Sequence, residues 1–177
     1  MTTIAEIAQL GAKALRLKAE AISDISGSET QQLIKILQDT LASTQGVGIA
    51  APQISVSKQV IIIASRPSTR YPHAPLMEPT VMINPSFVAL SDDTEKDWEG
   101  CLSIPGIRAL VPRFKKIQIT YTDQQDNLIE TKLVDFVARI FQHEFDHLEG
   151  KVYLDRVENN QDIIAESEYF KLFSVPL

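Results

Sequence analysis

Two histidines stand four residues apart in Gln142-His143-Glu144-Phe145-Asp146-His147-Leu148-Glu149-Gly150, and a glutamate follows the first of them. On a helix such positions share a face, so His143 and His147 can offer two imidazoles to one metal ion. Glu144, one step around, then sits where a base for metal-bound water is needed, which is the chemistry of the H-E-x-x-H pattern. The bland alternative is a core helix with two buried histidines and an incidental glutamate. Glu144 lies among apolar neighbours, and a carboxylate is seldom buried there without a reason. The chain has one cysteine, Cys101, which excludes an internal disulfide. A lone cysteine is commonly a small buried hydrophobe. Two histidines that need a third protein ligand change that reading, because a thiolate qualifies.

The metal pair needs a rigid helix beneath it. At about 100° per residue, Phe136, Ile140, His143 and His147 fall in one narrow stripe. Leu133, Val137, Phe141, Glu144 and Leu148 take the adjoining arc, and Asp135, Arg139, Gln142, Asp146 and Glu149 the other side. The ligand face is therefore also a buried face, and Gly150 is the expected stop. Phe136 and Ile140, just before His143 on the same stripe, can wall an apolar slot beside the metal. Such a slot suits an unbranched, polarizable side chain such as methionine.

The other elements follow from local pattern. Residues 3–22 show no clear repeat and read as a short turn or helix followed by an irregular arm. Ser28-Glu29-Thr30-Gln31 has the form of a capping box, opening a helix that Leu33, Ile34, Ile36, Leu37 and Leu41 carry to about residue 44. Gly46-Val47-Gly48-Ile49-Ala50-Ala51-Pro52-Gln53 is backbone with little side-chain cover. It is either a strip that another backbone can approach or a tight helix-to-strand turn. It is no phosphate loop, for it lacks G-x-x-x-x-G-K. Residues 59–65, with Val60-Ile61-Ile62-Ile63, read as a buried strand. Residues 66–79 hold four prolines and read as a loop with a solvated His73. Strands are expected at 80–84 and 87–90, joined near Pro85, then a polar turn at 91–96. Pro105 and Gly106 mark a turn just past Cys101. Residues 114–122 alternate, with Ile117, Ile119 and Tyr121 on one face. Residues 128–134 answer them across a hairpin loop at 123–127.

The 177 residues suffice for one domain with a sizeable core. The net charge of −6 argues against nucleic acid or an anionic membrane as a main partner. No run approaches the roughly 18 apolar residues of a membrane span. The first residues lack the pattern of a secretory leader, so a cytoplasmic location is expected. The tail from about residue 157 is acidic. Asp155, Glu158, Asp162, Glu166 and Glu168 stand against Arg156 and Lys171. A tail that only packs on the surface could be removed after about residue 160 with little effect on short substrates.

Three stretches, GVGIAAPQ, EGCLS and HEFDH in that order, resemble the peptide deformylases, metallohydrolases that remove the formyl group from N-formylmethionine of new chains. The resemblance runs from about residue 10 to 156. It implies an α+β fold with antiparallel β-sheets packed around a central metal-binding helix that carries HExxH, all in one catalytic domain over 1–177. It implies one divalent metal per chain, held by Cys101, His143 and His147. Three ligands leave a fourth position for water. Residue types alone do not choose the metal; the family implies Fe(II), with zinc, nickel or cobalt able to replace it. Glu144 becomes the proton carrier, and the amide of Gln53 and the backbone N–H of Leu102 become the oxyanion donors. The formyl peptide lies along Gly46-Val47-Gly48 as an added strand. Glu99, paired with Arg113, and Gly100 and Arg108 join Phe136 and Ile140 as the substrate-binding residues. The expected partners are N-formylmethionyl nascent peptides. The acidic tail argues against the ribosome contact made by relatives with a basic tail.

Two departures touch the scaffold: Leu10-Gly11-Ala12-Lys13-Ala14-Leu15-Arg16 lacks the family's proline, and Ser55 stands where a glycine is usual. Two rival readings remain. A zinc endopeptidase shares H-E-x-x-H, but Tyr153 occupies the place of its third histidine. A catalytically idle, deformylase-like binding protein would have no use for an intact Glu144.

Overall fold

Val60-Ile61-Ile62-Ile63 owes its unbroken apolar character to a position between two layers. In the computed structural model, which describes residues 2–68 and 71–173, these residues belong to a sheet covered on both faces. Helix α1 (Ser28–Ala42) leads into strand β1 (Gly48–Ala50), a 3-10 turn at Ala51–Ile54 and strand β2 (Val60–Ser65). Ile61 and Ile63 of β2 face one core, and Val60 and Ile62 face another that includes Leu33, Ile34, Leu37 and Leu41 of α1. A strand covered on both faces has no use for polar alternation.

The long β3 (Met77–Ala89) follows, then β4 (Thr94–Cys101), β5 (Ile104–Phe114), β6 (Lys116–Thr122), β7 (Leu128–Val134) and helix α2 (Asp135–Leu148). The chain ends with β8 (Ile163–Ala165) and α3 (Glu166–Phe173). One sheet has the order β1-β2-β3-β6-β7, the other β4-β5-β8. All these pairings are antiparallel, so the fold is α+β. α2 packs against β1 and β2 on one side and β5 on the other. Among the described residues no helix is long and apolar enough to cross a membrane.

The alternation of 114–122 is present, with Ile117, Ile119 and Tyr121 buried. β7 answers β6 in unbroken register from Lys116↔Val134 to Thr122↔Leu128. His73 is exposed. Residues 3–22 form an irregular arm around one 3-10 turn at Lys13–Arg16.

Several expectations are corrected. Ser28 is the first helical residue and Gly27 the N-cap, so there is no capping box. Thr30 Oγ1 and Gln31 Nε2 instead donate back to the carbonyls of Asp24 and Ile25. The two short strands around Pro85 are one strand with a register shift between Ile83 and Ser86. Asn84 takes φ 49° at that bulge, and its side chain exchanges two hydrogen bonds of 2.8 Å with the backbone of Ile22. The turn after Cys101 is not at Pro105-Gly106. Cys101 pairs with Ile104, and the chain reverses at Leu102 and Ser103. Leu133 belongs to β7 and not to the helix. The tail does more than rest on the surface: β8 pairs with β5, and Tyr169 of α3 is buried. Residues 174–177 of that tail, and 69–70 of the proline-rich loop, lie outside the described residues.

α2 ends as expected. Gly150 has φ +70°, its N–H bonds to the His147 carbonyl, and the Lys151 N–H reaches back to Asp146. Those two hydrogen bonds make the Schellman arrangement. A Cβ on Gly150 would approach the Arg16 carbonyl oxygen to 2.8 Å. Gly150→Ala should therefore lower stability by at least about 1–2 kcal/mol through its left-handed backbone alone. Urea unfolding of the two proteins checks this; an unchanged midpoint would show that the turn relaxes freely.

Candidate metal centre and substrate cleft

Three elements deliver the candidate ligands. α2 carries His143 and His147 one turn apart, and the β4–β5 hairpin brings Cys101 against them. The ligand atoms of Cys101, His143 and His147 lie within 4.8 Å of one another. Cys101 Sγ is 3.4 Å from His147 Nε2, a separation that suits two ligands of one ion. Burial alone would raise the Cys101 thiol, but His147 and His143 beside it hold it well below its ordinary value. A thiolate with two imidazoles is a donor set for a divalent transition metal.

His143 is held from behind. Its Nδ1 lies 2.9 Å from Glu99 Oε2, which leaves Nε2 as the ligand atom. Glu99 also accepts from Arg113 through Nε at 2.9 Å and Nη2 at 3.0 Å, and from Arg139 Nη1 at 2.9 Å. Burial would raise this carboxyl, yet Arg113 and His143 hold it well below the usual carboxylate range. Arg113 continues to Asp146 at 2.6 Å, and Arg156 closes the chain on Asp146 Oδ1 at 2.6 Å. Arg139, Gln142 and Asp146 on the polar side of α2 are thus buried too, because each finds a partner. The Glu99–Arg113 pair expected from the resemblance is present, and Arg139 enlarges it.

Glu144 is buried, and one of its oxygens, Oε2, has no partner among the described residues. Burial pushes its carboxyl up to about 7, against the pull of His143 and His147. A group poised there exchanges a proton readily near neutral pH. Gly48 makes the room: a Cβ on it would run into the Glu144 carboxylate. Gln53, from the 3-10 turn, fixes its Oε1 with the Ala50 N–H at 2.9 Å. Its Nε2 therefore faces Cys101 Sγ at 3.5 Å and Ser103 Oγ at 3.2 Å.

These groups open into a cleft of about 200 Å³. Every site residue expected from the sequence lines it except His147, which lies beneath Cys101, fully buried. Gly46, Val47 and Gly48 form one wall, Phe136 and Ile140 another. Arg108 is buried rather than a surface charge, and a Cβ on Gly100 would collide with its guanidinium. Sequence reasoning missed Tyr71, Trp98, Arg139 and Glu166 in the lining, and Ser103 beneath Gln53. Ser103 stood in the EGCLS motif and Arg139 one turn before His143; Tyr71 and Glu166 carried no local signal.

The polypeptide deformylase family profile matches residues 4–162. Peptide deformylase 2 of Nostoc sp. is 55% identical over 166 residues, 94% of this chain and 93% of that protein. A class I type b peptide deformylase from Acinetobacter baumannii, solved with Met-Ala-Ser, superimposes with a TM-score of 0.86. It is 40% identical, over 89% of this chain and all of that one. A peptide deformylase from Synechococcus elongatus, solved with actinonin, gives a TM-score of 0.78 at 35% identity, over 89% of this chain and 81% of that one. A cleft of this kind, on this fold, belongs to hydrolases that use a single catalytic metal. The chain is a member of the polypeptide deformylase family, whose function is the deformylation of nascent peptides.

Glu99→Gln removes the charge that orients His143 and leaves Arg113 and Arg139 short of a partner. Metal affinity, read by competition with a chelator, should fall about 10–100-fold. An unchanged dissociation constant would mean that the helix alone orients His143.

Proposed function

We propose that this chain is a peptide deformylase that hydrolyses the formyl amide of N-formylmethionyl peptides, with 1–177 acting as one catalytic domain. The observation that carries the reading is the Cys101–His143–His147 cluster with Glu144 beside it, in a cleft walled by glycine backbone. The same cluster supports the reading of α2 as the central metal-binding helix. Cys101, His143 and His147 would hold one divalent ion, Fe(II) by the resemblance, with zinc, nickel or cobalt as substitutes. Bound there, the ion supplies Lewis acidity to water and to the formyl oxygen.

The chain's own groups do the rest. Glu144 takes a proton from the attacking water and returns it to the leaving amine. Its raised pKa suits both halves of that task. The Gln53 amide, pinned through Oε1, and the Leu102 N–H, at the hairpin tip after Cys101, point donors at the developing oxyanion. Each such donor is worth about 3 kcal/mol of barrier. The peptide lies along Gly46-Val47-Gly48, and its first side chain enters the slot of Phe136 and Ile140. The relative solved with Met-Ala-Ser supports a methionine in that slot. Glu99 is the positioning residue of His143, and Gly100 and Arg108 border the peptide.

The peptidase reading loses its footing in the structure. Tyr153 is no ligand: it donates its hydroxyl to the Ile107 carbonyl at 3.0 Å and stacks on His143 at 5.8 Å. New polypeptides as substrates support a cytoplasmic location. The acidic tail argues for a weak ribosome contact and against a nucleic-acid substrate.

An anaerobic assay on formyl-Met peptides, with metal analysis of the same sample, tests the reading; no turnover at full metal content would sink it. Glu144→Gln should keep its metal and lose at least about tenfold in kcat, since proton transfer supplies about 10²–10⁴. Cys101→Ala should lose metal instead. A Glu144→Gln enzyme with more than about a tenth of wild-type kcat would remove the proton-transfer role. Wild type should prefer formyl-Met over formyl-Ala peptides by at least about tenfold in kcat/KM. Ile140→Trp should fill the slot and slow formyl-Met peptides far more than formyl-Ala ones. Equal slowing of both would indicate a damaged core and no side-chain slot at Ile140.

A further inference from the structure

The segment that begins where the family match ends builds part of the cleft. The match stops at residue 162. From there β8 adds to the edge of β5, with Ile163 opposite Ala109, Ile164 opposite Arg108 and Ala165 opposite Ile107. This pairing sets the direction of the chain, so α3 starts at the cleft and puts Glu166 in its lining. Glu166 Oε1 accepts from Arg108 Nη2 at 2.9 Å, and Arg108 Nη1 donates to the Tyr71 hydroxyl at 3.1 Å. The guanidinium carbon lies 5.2 Å from the centroid of the Tyr169 ring. Tyr169 meets Trp98 edge-on at 5.7 Å, and Trp98 lines the same cleft.

Arg108 is therefore clamped by a loop, a neighbouring strand and the C-terminal segment. Its side chain is 3% exposed, whereas that of Glu166 keeps 21%. The pair also has a definite place along the substrate. Tyr71, which holds Arg108, packs on Phe136 at a ring distance of 4.9 Å. The Arg108–Glu166 wall thus borders the slot for the first side chain and lies one step beyond it.

We propose that Glu166, delivered by the C-terminal segment, is a specificity-determining residue that neutralises Arg108 on the wall passed by the peptide's second and third residues. This rests on the deformylase reading of the site. An arginine alone on that wall would draw in acidic side chains, because a guanidinium largely removed from water attracts carboxylates more strongly than a surface one does. Paired with Glu166, its positive charge is opposed by a carboxylate on the same wall. The metal centre supplies the chemistry, and the C-terminal segment sets the charge preference downstream of it.

The test compares kcat/KM of the metal-loaded enzyme on formyl-Met-Xaa-Ala and formyl-Met-Ala-Xaa, with Xaa as Glu, Gln or Lys. In Glu166→Gln the Glu-over-Lys ratio should rise about fivefold or more in one of the two series, through KM rather than kcat. Glu166→Asp keeps the charge and should stay within about twofold of wild type. Arg108→Gln removes the positive member of the pair and should move the ratio the opposite way, which keeps the idea testable if Glu166→Gln folds poorly. Unmoved ratios in both charge variants, or an equal fall on every peptide, would overturn the role of Glu166. Wild type inactive on all the peptides would overturn the deformylase reading itself, whereas an active wild type with unmoved ratios sinks this inference alone.

Discussion

One buried carboxylate, Glu99, ties the β4-β5-β8 sheet to the helix beside it. It stands on β4, accepts from Arg113 on β5 and Arg139 on α2, and meets His143 Nδ1 with its other oxygen. A charge so far from water is tolerable only when every lone pair is answered, because desolvation otherwise outweighs the attraction. The arrangement supplies four polar contacts within 3.0 Å from three residues, Arg113, Arg139 and His143. Its product is orientation. With Nδ1 engaged, the ring of His143 has one direction left in which to offer its other nitrogen.

The same economy runs along α2. A helix with arginine, glutamine, aspartate, glutamate and two histidines in its middle would ordinarily turn that side to solvent. Here Gln142 spans the Phe114 backbone, accepting its N–H at 3.0 Å and donating to its carbonyl at 2.9 Å. Asp146 lies between Arg113 and Arg156. Glu144 differs, with a buried oxygen left over beside the thiolate and the missing side chain of Gly48. Burial costs its charged form energy, and that cost is what brings its proton within reach of neutral pH. Among the described residues the helix leaves two buried side-chain atoms without a hydrogen-bond partner, Glu144 Oε2 and His147 Nδ1, both on residues of the candidate metal centre.

The C-terminal segment answers two needs together. β5 would otherwise present an open edge beside the cleft, and an unpaired edge is a template for unwanted strand pairing. β8 covers it in a register of three residue pairs, and α3 then falls across Trp98 and Arg108. An edge cap of this kind varies easily, because backbone pairing asks little of its side chains. It is a suitable place for a chain to alter the outer cleft while leaving the metal centre untouched.

What the sequence determined was local. Residues four apart on a helix must share a face, so His143, His147 and the slot residues Phe136 and Ile140 were legible from spacing. Unbroken β-branched character announced β2, alternation announced β6, and Gly150 announced the end of α2. The ordered motifs added Cys101 and Gln53 by resemblance. Tertiary structure decided whatever depends on a partner far along the chain. The bulge at Asn84 exists because Ile22 binds it, 62 residues away. Arg139 is buried because Glu99 lies 40 residues before it, and Glu166 reaches the cleft because Arg108 lies 58 residues before it. A charged residue reads as solvated when only its neighbours in sequence are visible. It becomes part of a site once packing removes its water and supplies the opposite charge, and that exchange is settled by how the sheets and helices meet.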